Sequence, residues 1–87
     1  MTKDEIMEHL HKELPAEIHG IEEYMNLAEE AWENGDHNTA EMLMQIAGDE
    51  HDHAKFILHK LEINGSPVAA EKEKLHHLKE KIIEHYT

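Results

Sequence analysis

The stretch that most narrows what this chain can fold into runs from Met42 to Ile63. Wound as a helix, it carries an apolar seam at Leu43, Ile46, Glu50, His53 and Ile57, residues three and four apart, so a carboxylate and an imidazole stand at inward-facing positions. Ionisable groups do not sit on such a seam without partners, because withdrawing an unpaired charge from water is expensive. Glu50 and His53, at i and i+3, project from one helical face in the same direction. The spacing predicts a fold that brings this pair to a further carboxylate and a metal ion.

A chain of 87 residues is one domain at most, and a lone copy buries little of its surface, for which oligomerisation is a common remedy. Twenty Asp and Glu against eight Lys and Arg leave a formal charge of -12. That balance argues against nucleic acid or an anionic membrane as partner, since both need clustered positive charge, and makes cations the natural guests. With ten histidines and no cysteine, a transition-metal site must use nitrogen and oxygen ligands. Zinc-thiolate, iron–sulfur and disulfide chemistry are thereby excluded. No apolar run approaches a membrane span, and Met1-Thr2-Lys3-Asp4-Glu5 lacks the layout of a signal peptide, so the expected location is cytoplasmic.

The pattern along the chain is helical throughout. Thr2 and Glu5 form a capping-box signature that opens a helix through Ile6, Met7 and Leu10. Pro15 predicts a break or kink, with a fresh helix from there to about Asn34. The apolar stripe keeps its register across it: Leu10, Leu14, Glu17, Ile21, Tyr24, Ala28 and Ala31, widened by Ile18, Met25 and Trp32. Glu17 is the one charge on that stripe. Asn34-Gly35-Asp36 reads as a helix stop followed by a cap, so an antiparallel hairpin is expected, its second helix running from about Asn38 to Glu62 and ending at Asn64-Gly65. Ser66-Pro67 reads as an N-cap with proline at the first helical position, opening a third helix with Leu75, Leu78, Ile82 and Tyr86 on one face. The expected architecture is a single all-α domain over residues 1–87, with the hairpin at about 15–63 and the C-terminal helix at about 67–86.

A bare E-x-x-H match is weak here, because sixteen Glu and ten His give about two by chance. Three are present, and position separates them. Glu8/His11 and Glu73/His76 lie off their helices' apolar stripes, whereas Glu50 and His53 interrupt one together. Folding the hairpin about its turn pairs residues whose numbers add to roughly 70, which sets Glu17 opposite His53. Glu17, Glu50 and His53 are therefore expected at one level of the bundle. The alternative is a buried hydrogen-bonded polar cluster, which is hard to satisfy with three ionisable groups and no cation.

Glu17 with Tyr24 seven residues on, then Glu50-x-x-His53 followed by Ala54 and Phe56-Ile57-Leu58, resembles the ferritin-like, rubrerythrin-type di-iron carboxylate family. The similarity is greater to its half-length branch, the encapsulated-ferritin-like proteins, and covers about Pro15 to Leu61. In the full-length family four helices supply two lone glutamates and two E-x-x-H pairs. One of each is present here, so the resemblance implies that a homodimer completes the four-helix bundle and the site about a two-fold axis. It further implies two iron ions per dimer, Glu17 as terminal carboxylate, Glu50 as bridge and His53 as nitrogen ligand, with Mn2+ or Zn2+ able to occupy the site in vitro. The activity implied is ferroxidase: two ferrous ions each give one electron to dioxygen, yielding ferric iron and peroxide. Tyr24 is placed to hydrogen-bond a ligand carboxylate. The third helix is expected outside the bundle, where it joins dimers into a larger homo-oligomer. Relatives that enter an encapsulin-type shell carry a C-terminal docking peptide; this chain ends still helical in pattern at Ile82 to Thr87, which speaks against encapsulation.

The remaining histidines divide by position. His51, on the stripe Met44, Ala47, Ala54 and Leu58, reads as a core or interface residue; His9, His11, His19, His37, His59, His76, His77 and His85 read as surface. Gly20 and Gly48 inside helices predict close helix approach near the site. Two other functions fit the composition: a non-catalytic metal buffer built on the His- and Glu-rich surface, and a metal-free helical interaction module. A buffer binds several metals per chain and survives loss of Glu17; the module dimerises equally well with chelator present.

Overall fold

All residues from Met1 to Thr87 are described by the structure, a computed structural model. Three helices make up the chain, α1 (Lys3–Glu33), α2 (His37–Ile63) and α3 (Ala69–Tyr86), and there is no strand. The all-α expectation holds, and most boundaries fall where local chemistry puts them. Thr2 Oγ1 accepts from Glu5 N while Glu5 Oε1 accepts from Thr2 N, both at 3.2 Å, so the capping box forms in full. Gly35 takes φ +78° between α1 and α2, and Asp36 caps α2 by accepting from Thr39 N at 3.1 Å. Gly65, at φ +79°, ends the α2 region in the same way.

Two boundaries differ from expectation. Helix α1 passes through Pro15 without interruption. Proline removes one N–H and costs a helix interior about 3 kcal/mol, but the carbonyl it orphans belongs to His11, and both residues are exposed, so water can reach the gap. Leu14, Ile18 and Ile21, all 3 % exposed or less, lie on one stripe across the proline and hold its two sides to α2. Helix α3 starts at Ala69 behind Val68, which offers no side-chain cap, not at Ser66-Pro67. Val68 is itself buried and joins the core, so packing overrides the capping signal.

The core consists of Leu14, Ile18, Ile21 and Ala28 from α1, the α2 stripe Met44, Ala47, Ala54, Leu58 and Leu61, and Val68, Leu75, Leu78 and Ile82 around α3. Tyr86, expected on that last face, is more than half exposed at the end of α3. Helix α3 packs on the hairpin from one side only. His51 marks that side: its Nε2–H donates to the Leu75 carbonyl at 2.7 Å. Adjacent residues point about 100° apart around a helix, so Glu50 faces away from the α3 side.

The result is a plate, 48 × 23 × 14 Å across its Cα atoms. Its shortest dimension is what two helix layers about 8–10 Å apart span, since the Cα cylinder of one helix is about 4.6 Å across. The radius of gyration, 14.6 Å, exceeds the roughly 12 Å of a compact chain of this length. Exposed area tells the same story: 6025 Å², against about 5,300 Å² for a typical monomer of this mass. No helix is long and apolar enough to cross a membrane.

Candidate metal centre

The uncovered face of the plate is apolar with a charged centre. On α2 it consists of Leu43, Ile46, Glu50 and Ile57, all half-buried, and the exposed His53; on α1 it consists of Leu10, Glu17, Gly20 and Tyr24, also half-buried. The α2 seam found in the sequence is therefore not the core of one chain. The core stripe of α2 is the neighbouring one, Met44, Ala47, His51, Ala54 and Leu58, and the seam borders the open side.

At the centre of that face one ligand atom from each of Glu17, Glu50 and His53 lies within 4.8 Å of the other two. Helix α1 supplies the first and α2 the others, as the antiparallel register predicts. His53 Nδ1 stands 3.6 Å from Glu50 Oε1, too long for a hydrogen bond but within ion-pair reach. Glu17 Oε2 is buried and has no hydrogen-bond partner. Two carboxylates both accept, so Glu17 and Glu50 attract each other only while they share a proton. That shared hydrogen bond is the main reason the Glu17 carboxyl is pushed up to about 7 from its usual 4.5; partial burial and repulsion from Glu50 add to it, and His53 opposes it. A cation placed between the carboxylates would do the work of that proton at higher pH. The donor set, two carboxylates and one imidazole, suits ferrous iron, manganese or zinc.

Tyr24 lies on the same face, two turns along α1 from Glu17, and packs against the core edge. Its hydroxyl does not reach the buried Glu17 Oε2, which stays unpartnered. Asp49 and Asp52, which flank Glu50 and His53 in the sequence, are exposed. Gly20 and Gly48 do not admit a close helix approach within the chain, since a Cβ at either would meet nothing within 4 Å.

Among the other histidines, His51 is buried as expected, its Nδ1 without a partner. His85 departs from the surface reading. It is half-buried, its Nε2 lies 2.9 Å from Glu41 Oε1, and its ring meets Trp32 edge-on at 6.1 Å. Its spacing from Leu78, seven residues earlier on the stripe of α3, was the signal for this. Trp32 is 49 % exposed and stacks on His37 at 3.9 Å, so it belongs to the surface more than to the core. Comparison of the chain with models of known families, with curated proteins and with solved structures yields no match.

Proposed function

We propose that the chain is a ferritin-like metal-binding protein whose two-metal site is completed by a second copy, and that it oxidises ferrous iron with dioxygen. The observation that carries this reading is the convergence of Glu17, Glu50 and His53 within 4.8 Å at the centre of a half-buried apolar face. One chain offers three ligand atoms, too few to enclose a metal of the first transition series. A two-fold axis normal to the face gathers four carboxylates and two imidazoles, and two divalent cations neutralise the four carboxylates. The excess exposed area, roughly 700 Å² over a typical monomer of this mass, is close to the roughly 800 Å² that one partner buries in a standard interface.

In this arrangement Glu17 of α1 would be the terminal carboxylate, Glu50 the one shared between the two copies, and His53 the nitrogen donor. Leu43, Ile46 and Ile57, around the site, exclude bulk water once the faces meet and so strengthen every charge interaction within. Ferrous iron is the substrate: two Fe2+ lose one electron each, dioxygen takes both with two protons, and two Fe3+ and hydrogen peroxide result.

The test is ferrous iron added without oxygen and then exposed to air, followed by ferric absorbance. Saturation is expected at about one iron per chain, because two copies share two metals. Glu50→Ala and His53→Ala are each expected to slow oxidation to the rate of free iron. Oxidation by either variant as fast as by the parent overturns the proposal.

A further inference from the structure

Away from the metal centre a groove of about 740 Å³ lies between the C-terminal halves of α1 and α3 and the first turns of α2. Its floor is apolar, formed by Met25, Ala28, Met44 and Leu78, with the indole of Trp32 as one wall. Five carboxylates stand around it, Glu22, Glu29, Glu33, Glu41 and Glu84, against one lysine, Lys81. Glu41 is engaged by His85; the other four carboxylates and Lys81 take part in no ion pair.

We propose that this groove binds a linear aliphatic polyamine, its methylene spacers on the apolar floor and its ammonium groups at the rim carboxylates. A compact metal ion does not fit the pattern, because it needs three ligand atoms at one point and the chain brings three together only at Glu17, Glu50 and His53. The rim charges are instead strung out. Along α1, Glu22, Glu29 and Glu33 follow one another at rises of about 10 and 6 Å, which matches charges separated by short alkyl spacers. A peptide fits less well: the walls are helices whose backbone groups are already paired, so its own N–H and C=O groups find few partners over the floor. Trp32 adds recognition of its own. His37 stacks on the indole without lining the groove, and His85, which does line it, meets the ring edge-on at 6.1 Å, so an ammonium group reaches only the exposed remainder of the indole, where cation–π attraction acts.

Trp32 is the only tryptophan, so its emission reads the groove directly. Spermine titrated into the metal-free full chain is expected to give a saturable emission change at one per chain, with the same stoichiometry by calorimetry. Glu29→Gln with Glu33→Gln is expected to weaken binding about tenfold, the upper range for two exposed ion pairs. Glu8→Gln with Glu73→Gln removes the same charge elsewhere and is expected to leave affinity unchanged, as is Glu50→Ala, which keeps this test independent of the metal centre. Equal weakening by both double variants, or the same emission change with Mg2+ at matched ionic strength, reduces the effect to screening of a -12 chain and overturns the proposal. A lysine-rich peptide that binds more tightly than spermine overturns it in favour of a protein partner.

Discussion

The two flanks of helix α2 carry the same kind of residue to opposite ends. His51 and His53 are separated by one residue, yet the first is 2 % exposed and donates to a carbonyl of α3, while the second is exposed beside two carboxylates. The difference lies in what covers each flank. Helix α3 seals the His51 side with Leu75, Leu78 and Ile82, so the imidazole there is a structural hydrogen-bond donor. Nothing in the chain seals the other side, where Glu17, Glu50 and His53 converge. On the covered face His51 Nε2 has its partner within the chain, though Nδ1 has none; on the uncovered apolar face three ionisable groups converge and the buried Glu17 Oε2 has none. The proposed metals and second copy are the partners that set lacks.

Truncation of each histidine is expected to have the largest and most unequal effects. His51→Ala removes a buried ring and its bond to Leu75, and a loss of about 2–4 kcal/mol in urea unfolding of the metal-free chain is expected. His53→Ala is expected to stay within about 0.5 kcal/mol, as an exposed site does. Equal losses would mean that the flanks do not differ in cover. Metal is expected to reverse the ranking. With divalent iron or manganese at a hundred times its dissociation constant, the parent is expected to gain about 2.7 kcal/mol; His51→Ala keeps a gain and His53→Ala loses it. Sedimentation velocity should show the metal promoting association of the parent, since in the proposed dimer it would cancel repulsion between the carboxylates of the two copies.

Much of this was legible in the residues. The hairpin register followed from a short turn at Asn34 to Asp36 and two apolar stripes, and it set Glu17 opposite His53 because antiparallel helices of equal rise keep step. The E-x-x-H pair stood out by its place on a stripe, where composition alone would have hidden it. Less legible was which stripe becomes core. Helix α2 is apolar over a wide arc, and periodicity cannot tell the half facing α1 and α3 from the half facing outward. Pro15 misled because propensity counts the lost hydrogen bond and not the packing of Leu14, Ile18 and Ile21 on both sides of it. The groove beside Trp32 was not legible at all, since it is made by three helices whose relative placement no local pattern encodes.

The open face also predicts how stability responds to acid. Glu17 holds its proton up to about 7 in the folded chain but only to 4.5 when unfolded. Between those values the folded state binds more protons, so this group's contribution is full below pH 4.5 and is lost as pH rises through 7. The metal-free parent is therefore expected to lose on the order of 1 kcal/mol relative to Glu17→Gln between pH 5 and pH 7.5, after solvent screening of a partly open site. Thermal melts of the two proteins at both pH values measure it. A difference of the opposite sign would mean that the two carboxyls do not share a proton.

The smallest expected effect separates the flanks most cleanly. Gly20 lies on the uncovered face of α1, one turn from Glu17, while Gly48 points away from that face on α2, and a Cβ at either meets nothing within the chain. Within a single copy, Gly20→Ala and Gly48→Ala should each stabilise by about 0.5–1 kcal/mol, because alanine gives up less backbone freedom on folding. Association divides them. In the proposed dimer the helix backbones would have to come close enough for Glu50 from each copy to reach the same pair of ions, and an added methyl at Gly20 would stand in that contact. Gly20→Ala is expected to weaken the metal-dependent dimer in sedimentation velocity while Gly48→Ala leaves it unchanged. Equal behaviour of the two variants would place the second copy elsewhere than on the face that carries Glu17, Glu50 and His53.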